Sequence, residues 1–190
     1  MAIVLASQSP RRQELLQRIG VEDFKTLSLD IDESYPEGLS PEDTVRYIAK
    51  KKCDAAAALC APDDLIITAD TMVFLDNDRL GKPRDEDDAF RMLRELAGRG
   101  HTVCTGVSVR RGETSELFAV STRVFFRPMT DDEIRAYIKT GEPMDKAGAY
   151  GVQSRGALFV ERIDGDFFNV MGLPVEQLGL VLARFGVKLL

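Results

Sequence analysis

Three observations predict an α/β fold with a mixed sheet. Short apolar runs alternate along the chain with stretches of helical period. One of them, Leu65-Ile66-Ile67, is apolar throughout, as suits a central strand buried on both faces. Two longer alternating segments, Val103 to Val109 and Leu117 to Phe126, flank Gly112 as a long hairpin, which an all-parallel sheet does not accommodate.

The elements follow in order. Ile3-Val4-Leu5 reads as a short buried strand, and Ser9 as the N-cap of a helix with Pro10 at its first position and Gly20 at its end. Phe24 to Leu29 reads as a strand running into the acidic segment Asp30-Ile31-Asp32-Glu33. Ser40 and Asp43 form an S-x-x-D cap on a long helix that stops before Pro62. The strand from Leu65 ends at Thr68-Ala69-Asp70-Thr71, and Met72 to Leu75 with Arg79-Leu80 flank Asp76-Asn77-Asp78 as a small hairpin returning to Gly81-Lys82-Pro83. Asp85 to Leu96 is a helix closed near Gly98 and Gly100, and Thr130 with Glu133 makes the capping box of another. Gly141 to Gly156 is a glycine-rich loop, too long for an idle connector. Leu158-Phe159-Val160 and Phe167 to Met171 read as strands, and Pro174 to Phe185 as a last helix. No repeat, low-complexity tract or linker divides residues 1–190, so one domain is expected.

Composition narrows the function. A chain of 190 residues with 44% hydrophobic and 29% charged residues has the balance of a soluble globular protein. A net charge of −6 argues against a general nucleic-acid or anionic-membrane surface, while leaving room for a small anionic ligand at clustered cations. The three cysteines include no C-x-x-C pair, which points to a reducing, cytoplasmic compartment, with Cys53 and Cys60 filling core. One histidine, His101, is too few for a typical zinc site. The opening MAIVLA is too short for a secretory h-region, and no run approaches a membrane span.

Some charges do not belong on a surface. At about 100° per residue, Val45, Ile48, Ala49, Lys52, Ala56 and Leu59 fall on one helical stripe with Lys52 at its middle, whereas Lys50 and Lys51 point away from it. A lysine in an apolar stripe calls for an anion to meet it, and with only a ligand in that role Lys52→Met should be tolerated or stabilising in the unliganded protein. In the first helix Arg12 lies one turn before Leu15, Leu16 and Ile19 on the buried side, with Arg11 close by. The segment LASQSPRR thus joins a helix N-terminus, the Ser7 and Ser9 hydroxyls and two guanidiniums, a set suited to phosphate but lacking the GxxxxGK[ST] pattern of a Walker A loop. Asp70 and Glu33 both follow predicted strands, where α/β sheets gather ligands. Two carboxylates opposite Arg12, Lys52 and Lys82 match a magnesium–phosphate site. Asp30-Ile31-Asp32-Glu33-Ser34 also loosely matches the DxDx[TSV] nucleophile of haloacid-dehalogenase-type phosphatases, but the strand before it alternates and the partner residues of that motif are missing.

These blocks together resemble the Maf family of nucleoside triphosphate pyrophosphatases. The resemblance rests on LASQSPRR with Glu14-Leu15-Leu16, then Asp32-Glu33, Ala49 to Lys52, Thr68 to Thr71 and Gly81-Lys82-Pro83. It ends with Gly141 to Gly151 (GEPMDKAGAYG) and Gln153, so it spans nearly the whole chain in order. It implies a strongly twisted sheet with flanking helices in two lobes around a central cleft, related to inosine triphosphate pyrophosphatases and often homodimeric. It further implies hydrolysis between the α- and β-phosphates of a nucleoside triphosphate, with Asp70 as catalytic base. Glu33 and Asp70 would hold Mg²⁺ or Mn²⁺, with Lys52, Lys82, Ser7, Ser9, Arg11 and Arg12 on the phosphates. Arg12, Thr71 and Gln153 match the subgroup that prefers dTTP and UTP, whereas a sister subgroup acting on 7-methyl-GTP differs around the late loop. The alternative is a non-enzymatic nucleotide-binding regulator of septum formation, which has no use for a carboxylate pair.

Overall fold

A computed structural model of the chain describes residues 2–76 and 78–190. Strand β1 (Ile3–Leu5) leads into helix α1 (Pro10–Arg18), followed by β2 (Phe24–Thr26), α2 (Pro41–Ala57) and β3 (Leu65–Leu75). Then come β4 (Asp78–Leu80), α3 (Glu86–Leu96), β5 (Gly100–Arg111), β6 (Thr114–Phe126), α4 (Asp131–Ile138), β7 (Val160–Asp164), α5 (Phe167–Met171) and α6 (Val175–Arg184). Among the described residues the strands form one mixed sheet in the order β2-β1-β3-β5-β6-β7, with β4 on β3. β1 pairs in parallel with β2 and β3, whereas β3/β4 and β6/β7 are antiparallel. The predicted mixed α/β class is the class observed. No helix among the described residues is long and apolar enough to cross a membrane.

The chain divides into two compact units. The first holds residues 1–70, 105–120 and 172–190, the second residues 71–104 and 121–171. In the first, Leu5 and Ile67 pair side by side in the sheet, and both are fully buried. Alternate residues of β3 meet α2: Ile66 packs with Ala6, Cys53 and Ala56, and the Thr68 hydroxyl donates to the Ala49 carbonyl at 2.7 Å. Gly106 of β5 lets the same helix come close, since a Cβ there would lie 2.3 Å from the Val45 carbonyl oxygen. Cys53 is buried and Cys60 half-buried against this cluster, and none of the three cysteines is in a disulfide. In the second unit α3 packs on α4, and Phe126, His101, Tyr150 and Phe159 form an aromatic core of edge-on and tilted rings.

Several boundaries differ from expectation. The second strand ends at Thr26 instead of Leu29, and the third runs unbroken from Leu65 to Leu75 because both its faces are buried along nearly all of that length. Asn77, in the predicted hairpin turn, lies outside the described residues. The late loop contains 3₁₀ turns at Glu142–Asp145, Ala147–Ala149 and Arg155–Phe159, and the strand predicted at Leu158 starts at Val160. Phe167 to Met171 is a short helix. Asp166 Oδ1 accepts from the Phe168 N–H at 2.7 Å to start it, and it turns Asn169 inward to donate to the Val103 carbonyl (3.1 Å) and Thr122 Oγ1 (3.0 Å). Leu59, expected on the buried stripe of α2, lies past the helix end and is 67% exposed.

Candidate active site

The helix start after β1 has an unusual charge. Helices α3 and α4 each carry three acidic residues in the first turn, the favourable sign for a helix N-terminus. Helix α1 carries none there and opens with Arg11 and Arg12, and the Ser9 side chain makes no capping hydrogen bond. Its first N–H groups therefore receive no cap from Ser9, and the residues that follow add positive charge. Both facts favour a bound anion. Ser7 Oγ accepts from the Ser9 N–H (3.2 Å) and from Arg12 Nη1 (3.3 Å), while Arg12 Nε donates to the Gly172 carbonyl at 2.8 Å. Burial lowers the Arg12 pKa, and the carboxylates of Asp70 and Glu33 oppose that shift.

The same face of β3 that meets α2 at Ile66 and Thr68 presents Asp70 one step further. Lys52 reaches it from α2: Nζ is 2.8 Å from Asp70 Oδ1 and 2.9 Å from Glu33 Oε1. The Lys52 and Asp70 side chains are only 14% and 9% exposed, against 49% for Glu33. The lysine thus already has protein anions, which corrects the expectation that it waits only for a ligand. Lys50 and Lys51 pair with Asp54 and Asp32, so neither merely faces solvent. Asp70 Oδ2 is buried and has no hydrogen-bond partner among the described residues. An unpartnered buried carboxylate oxygen is costly unless a cation or a water's proton meets it, and that is what a metal-holding or proton-accepting group requires.

No group of three or more His, Cys, Asp and Glu side chains that could hold a metal occurs among the described residues. Glu33 and Asp70 are two carboxylates, a donor set that suits a hard cation whose remaining ligands are water and phosphate oxygens. Asp32 has another task. Its carboxylate accepts from the Ser34 N–H and hydroxyl, which lowers its pKa, and so it turns the chain beside Glu33. That Asx turn gives Asp32 and Ser34 of the DxDx match a structural task.

The structure thus brings together Ser7, Ser9 and Arg12 in one turn, with Arg11 beside them, and Glu33, Lys52 and Asp70 in one ion triad. Thr71, Lys82 and Gln153 belong to the second unit. Thr71 follows Asp70 in β3 and is half-buried, while Lys82 and Gln153 are exposed. Lys82 lies beside Gly81, whose carbonyl accepts from the Gly148 N–H at 3.1 Å and so ties this segment to the late loop.

The late loop holds a cluster whose contacts the GEPMDKAGAYG block does not reveal. Glu142 Oε1 accepts from the Tyr137 hydroxyl (2.7 Å), the Ser154 hydroxyl (2.6 Å) and the Gly156 N–H (3.1 Å), and Oε2 from the Arg155 N–H (3.2 Å). Burial pushes the Glu142 carboxyl pKa up, but these hydrogen bonds outweigh it and the net shift is downward. Tyr137 Oη in turn accepts from the Gly151 N–H at 3.2 Å. Gly156 closes the turn tightly, since a Cβ there would stand 2.6 Å from the Gly151 carbonyl oxygen. Glu142 stands within a Gly-Glu-Pro block, where periodicity has no voice.

Comparison with known proteins adds identity to this geometry. A family model described as "Maf-like protein" matches residues 2–185. A dTTP/UTP pyrophosphatase of Bacillus velezensis is 46% identical over 186 residues, covering 98% of this chain and 97% of the relative. One from a Geobacillus species is 47% identical, covering 97% of this chain and 98% of the relative. Among solved structures, a Staphylococcus aureus Ham1 protein overlaps 66% of this chain and 72% of its own at 15% identity, with a TM-score of 0.47.

Proposed function

The chain belongs to the Maf family, and on that footing we propose that it is a nucleoside triphosphate pyrophosphatase acting on dTTP and UTP. The observation that carries the reading is the buried Asp70, held at one oxygen by Lys52 and with its other oxygen unpartnered among the described residues. Water adds to phosphorus as the P–O bond of the α–β bridge breaks, giving the nucleoside monophosphate and pyrophosphate. Asp70 Oδ2 orients that water and takes its proton. Arg12, with Ser7, Ser9, Arg11 and the first N–H groups of α1, binds phosphate oxygens, and Lys52 and Lys82 offset charge gathering on the leaving pyrophosphate. Glu33 and Asp70 would hold Mg²⁺ or Mn²⁺, which would neutralise phosphate charge and make the water more acidic. Arg12, Thr71 and Gln153 are the residues proposed to set the pyrimidine preference. Gln153 offers a donor and an acceptor to a base edge.

Residues 1–190 act in this reading as one catalytic domain, in a homodimer located in the cytoplasm and without nucleic-acid or membrane partners. The test is a panel of nucleoside triphosphates with Mg²⁺, scored separately for pyrophosphate and orthophosphate. Pyrophosphate released mainly from dTTP and UTP is expected. Pyrophosphate mainly from purine nucleotides would keep the hydrolytic core and overturn the base preference, and orthophosphate would overturn the reaction.

A further inference from the structure

Gln153 is exposed on a short turn, yet a residue that discriminates bases needs a fixed position. What fixes this turn is visible on both sides of Gln153. Two residues before it, the Gly151 N–H donates to Tyr137 Oη at 3.2 Å. After it, the Ser154 hydroxyl and the N–H groups of Arg155 and Gly156 donate to the Glu142 carboxylate. Tyr137 and Glu142 are themselves joined at 2.7 Å, so both flanks of the turn hang on one buried-hydroxyl–carboxylate pair. Glu142 is held in return: it follows the end of α4, and its backbone carbonyl accepts from Lys146 Nζ at 2.7 Å. A surface ion pair would be interchangeable, but a carboxylate that collects two backbone N–H groups and two hydroxyls defines the path of the chain.

We propose that Glu142, acting with Tyr137, is a positioning residue for base selection: it sets the turn that presents Gln153 to the nucleobase and takes no part in the hydrolytic step. This rests on the assignment of base reading to Gln153. Glu142→Ala should loosen the turn without touching Asp70, raising KM for UTP by about tenfold while kcat stays within about threefold. Preference for UTP over a purine triphosphate should shrink in parallel, and amide hydrogen exchange across residues 151–156 should quicken. Glu142→Gln, which keeps one acceptor oxygen, should recover part of both effects.

The decisive measurement is a double-mutant cycle on the UTP-over-GTP ratio of kcat/KM, using the full chain. Glu142→Ala added to Gln153→Ala should change the ratio no further, because the first acts through the second. Independent, multiplicative effects would overturn the proposal, as would an unchanged ratio in Glu142→Ala. If Gln153→Ala alone leaves the ratio unchanged, the base-reading assignment fails and the proposal falls with it. That outcome is distinct from the one in which Gln153→Ala collapses the ratio and Glu142→Ala does not. Should Glu142→Ala fail to fold, Tyr137→Phe, which removes only the hydroxyl joining the two flanks, takes its place in the cycle: no further change beside Gln153→Ala supports the proposal, and a multiplicative effect or an unchanged ratio overturns it.

Discussion

Lys52 Nζ lies 2.8 Å from Asp70 Oδ1, with both side chains largely withdrawn from water. The pair sits where α2 crosses β3, and Glu33 Oε1, at 2.9 Å from the same nitrogen, completes a triad of one cation and two carboxylates. The net charge of the triad is negative, which suits a metal, and the nearby Arg12 feels both carboxylates. The lysine is thus part of the fold before any nucleotide arrives.

Asp70→Asn keeps the shape and a hydrogen-bond acceptor for Lys52 but removes the basic oxygen. The expected loss in kcat is about 10²–10⁴-fold, with nucleotide affinity and the urea midpoint near those of the parent. Steady-state kinetics beside equilibrium nucleotide binding reads this directly. Activity close to the parent would remove Asp70 from the role of base.

Lys52→Met should destabilise the protein, contrary to what the apolar stripe alone suggests. It leaves the buried Asp70 carboxylate without its closest cation, and breaking such a pair costs roughly 3 kcal/mol. Urea denaturation measures it. Combined with Asp70→Asn, the loss should fall short of the sum of the single variants by roughly 1 kcal/mol or more. Strict additivity would mean that the two side chains do not interact.

Gly106→Ala should be among the most damaging small changes in the first unit. The added methyl would sit 2.3 Å from the Val45 carbonyl oxygen and 2.7 Å from the Arg46 nitrogen, so β5 and α2 must part. Backbone cannot rotate away as a side chain does, and a cost of about 3 kcal/mol is expected. A urea midpoint equal to that of the parent would show that the helix yields freely.

His101 makes stability depend on pH. Burial lowers its pKa from 6.5 to about 3, with Nε2 2.7 Å from the Tyr150 hydroxyl. In the unfolded chain it takes up a proton as pH falls through 6.5, whereas the folded protein resists until near 3. The contribution is therefore intact above 6.5 and is lost as pH falls from there toward 3, at up to about 1.4 kcal/mol per pH unit. Between pH 7.5 and 5, above the main carboxylate range, His101→Gln should flatten the slope of unfolding free energy against pH. An unaltered slope would assign the dependence to other groups.

What can be read from the chain, and what cannot, follows from the range of the forces involved. The caps at Ser40 and Thr130 are legible because side chain and partner are three residues apart. Arg12 and Lys52 are legible as charges on buried helical stripes, since burial of neighbours is encoded in period, and Glu33 and Asp70 as carboxylates that follow predicted strands. Their mutual pairing is not, because it depends on which face of β3 meets α2. The helix at Phe167 escapes a sequence reading since FFNVM has strand-like residues, and it is Asn169 bonding to Val103 and Thr122 that turns it. Gly106 and Glu142 act through contacts to backbone distant in sequence or on the far side of a turn, and their partners cannot be read from local period, although Glu142 stands in the GEPMDKAGAYG block.

The bond from Arg12 Nε to the carbonyl of Gly172 joins residues 160 positions apart. A growing chain emerges N-terminus first, so Arg12 is exposed early and waits for nearly the whole of synthesis before its tether exists. Until then Nε is without that acceptor, while the contact of Nη1 with Ser7 Oγ, five residues away, is local. A chain stalled before residue 172 therefore carries every acidic residue of the triad, yet lacks the carbonyl that meets Arg12 Nε.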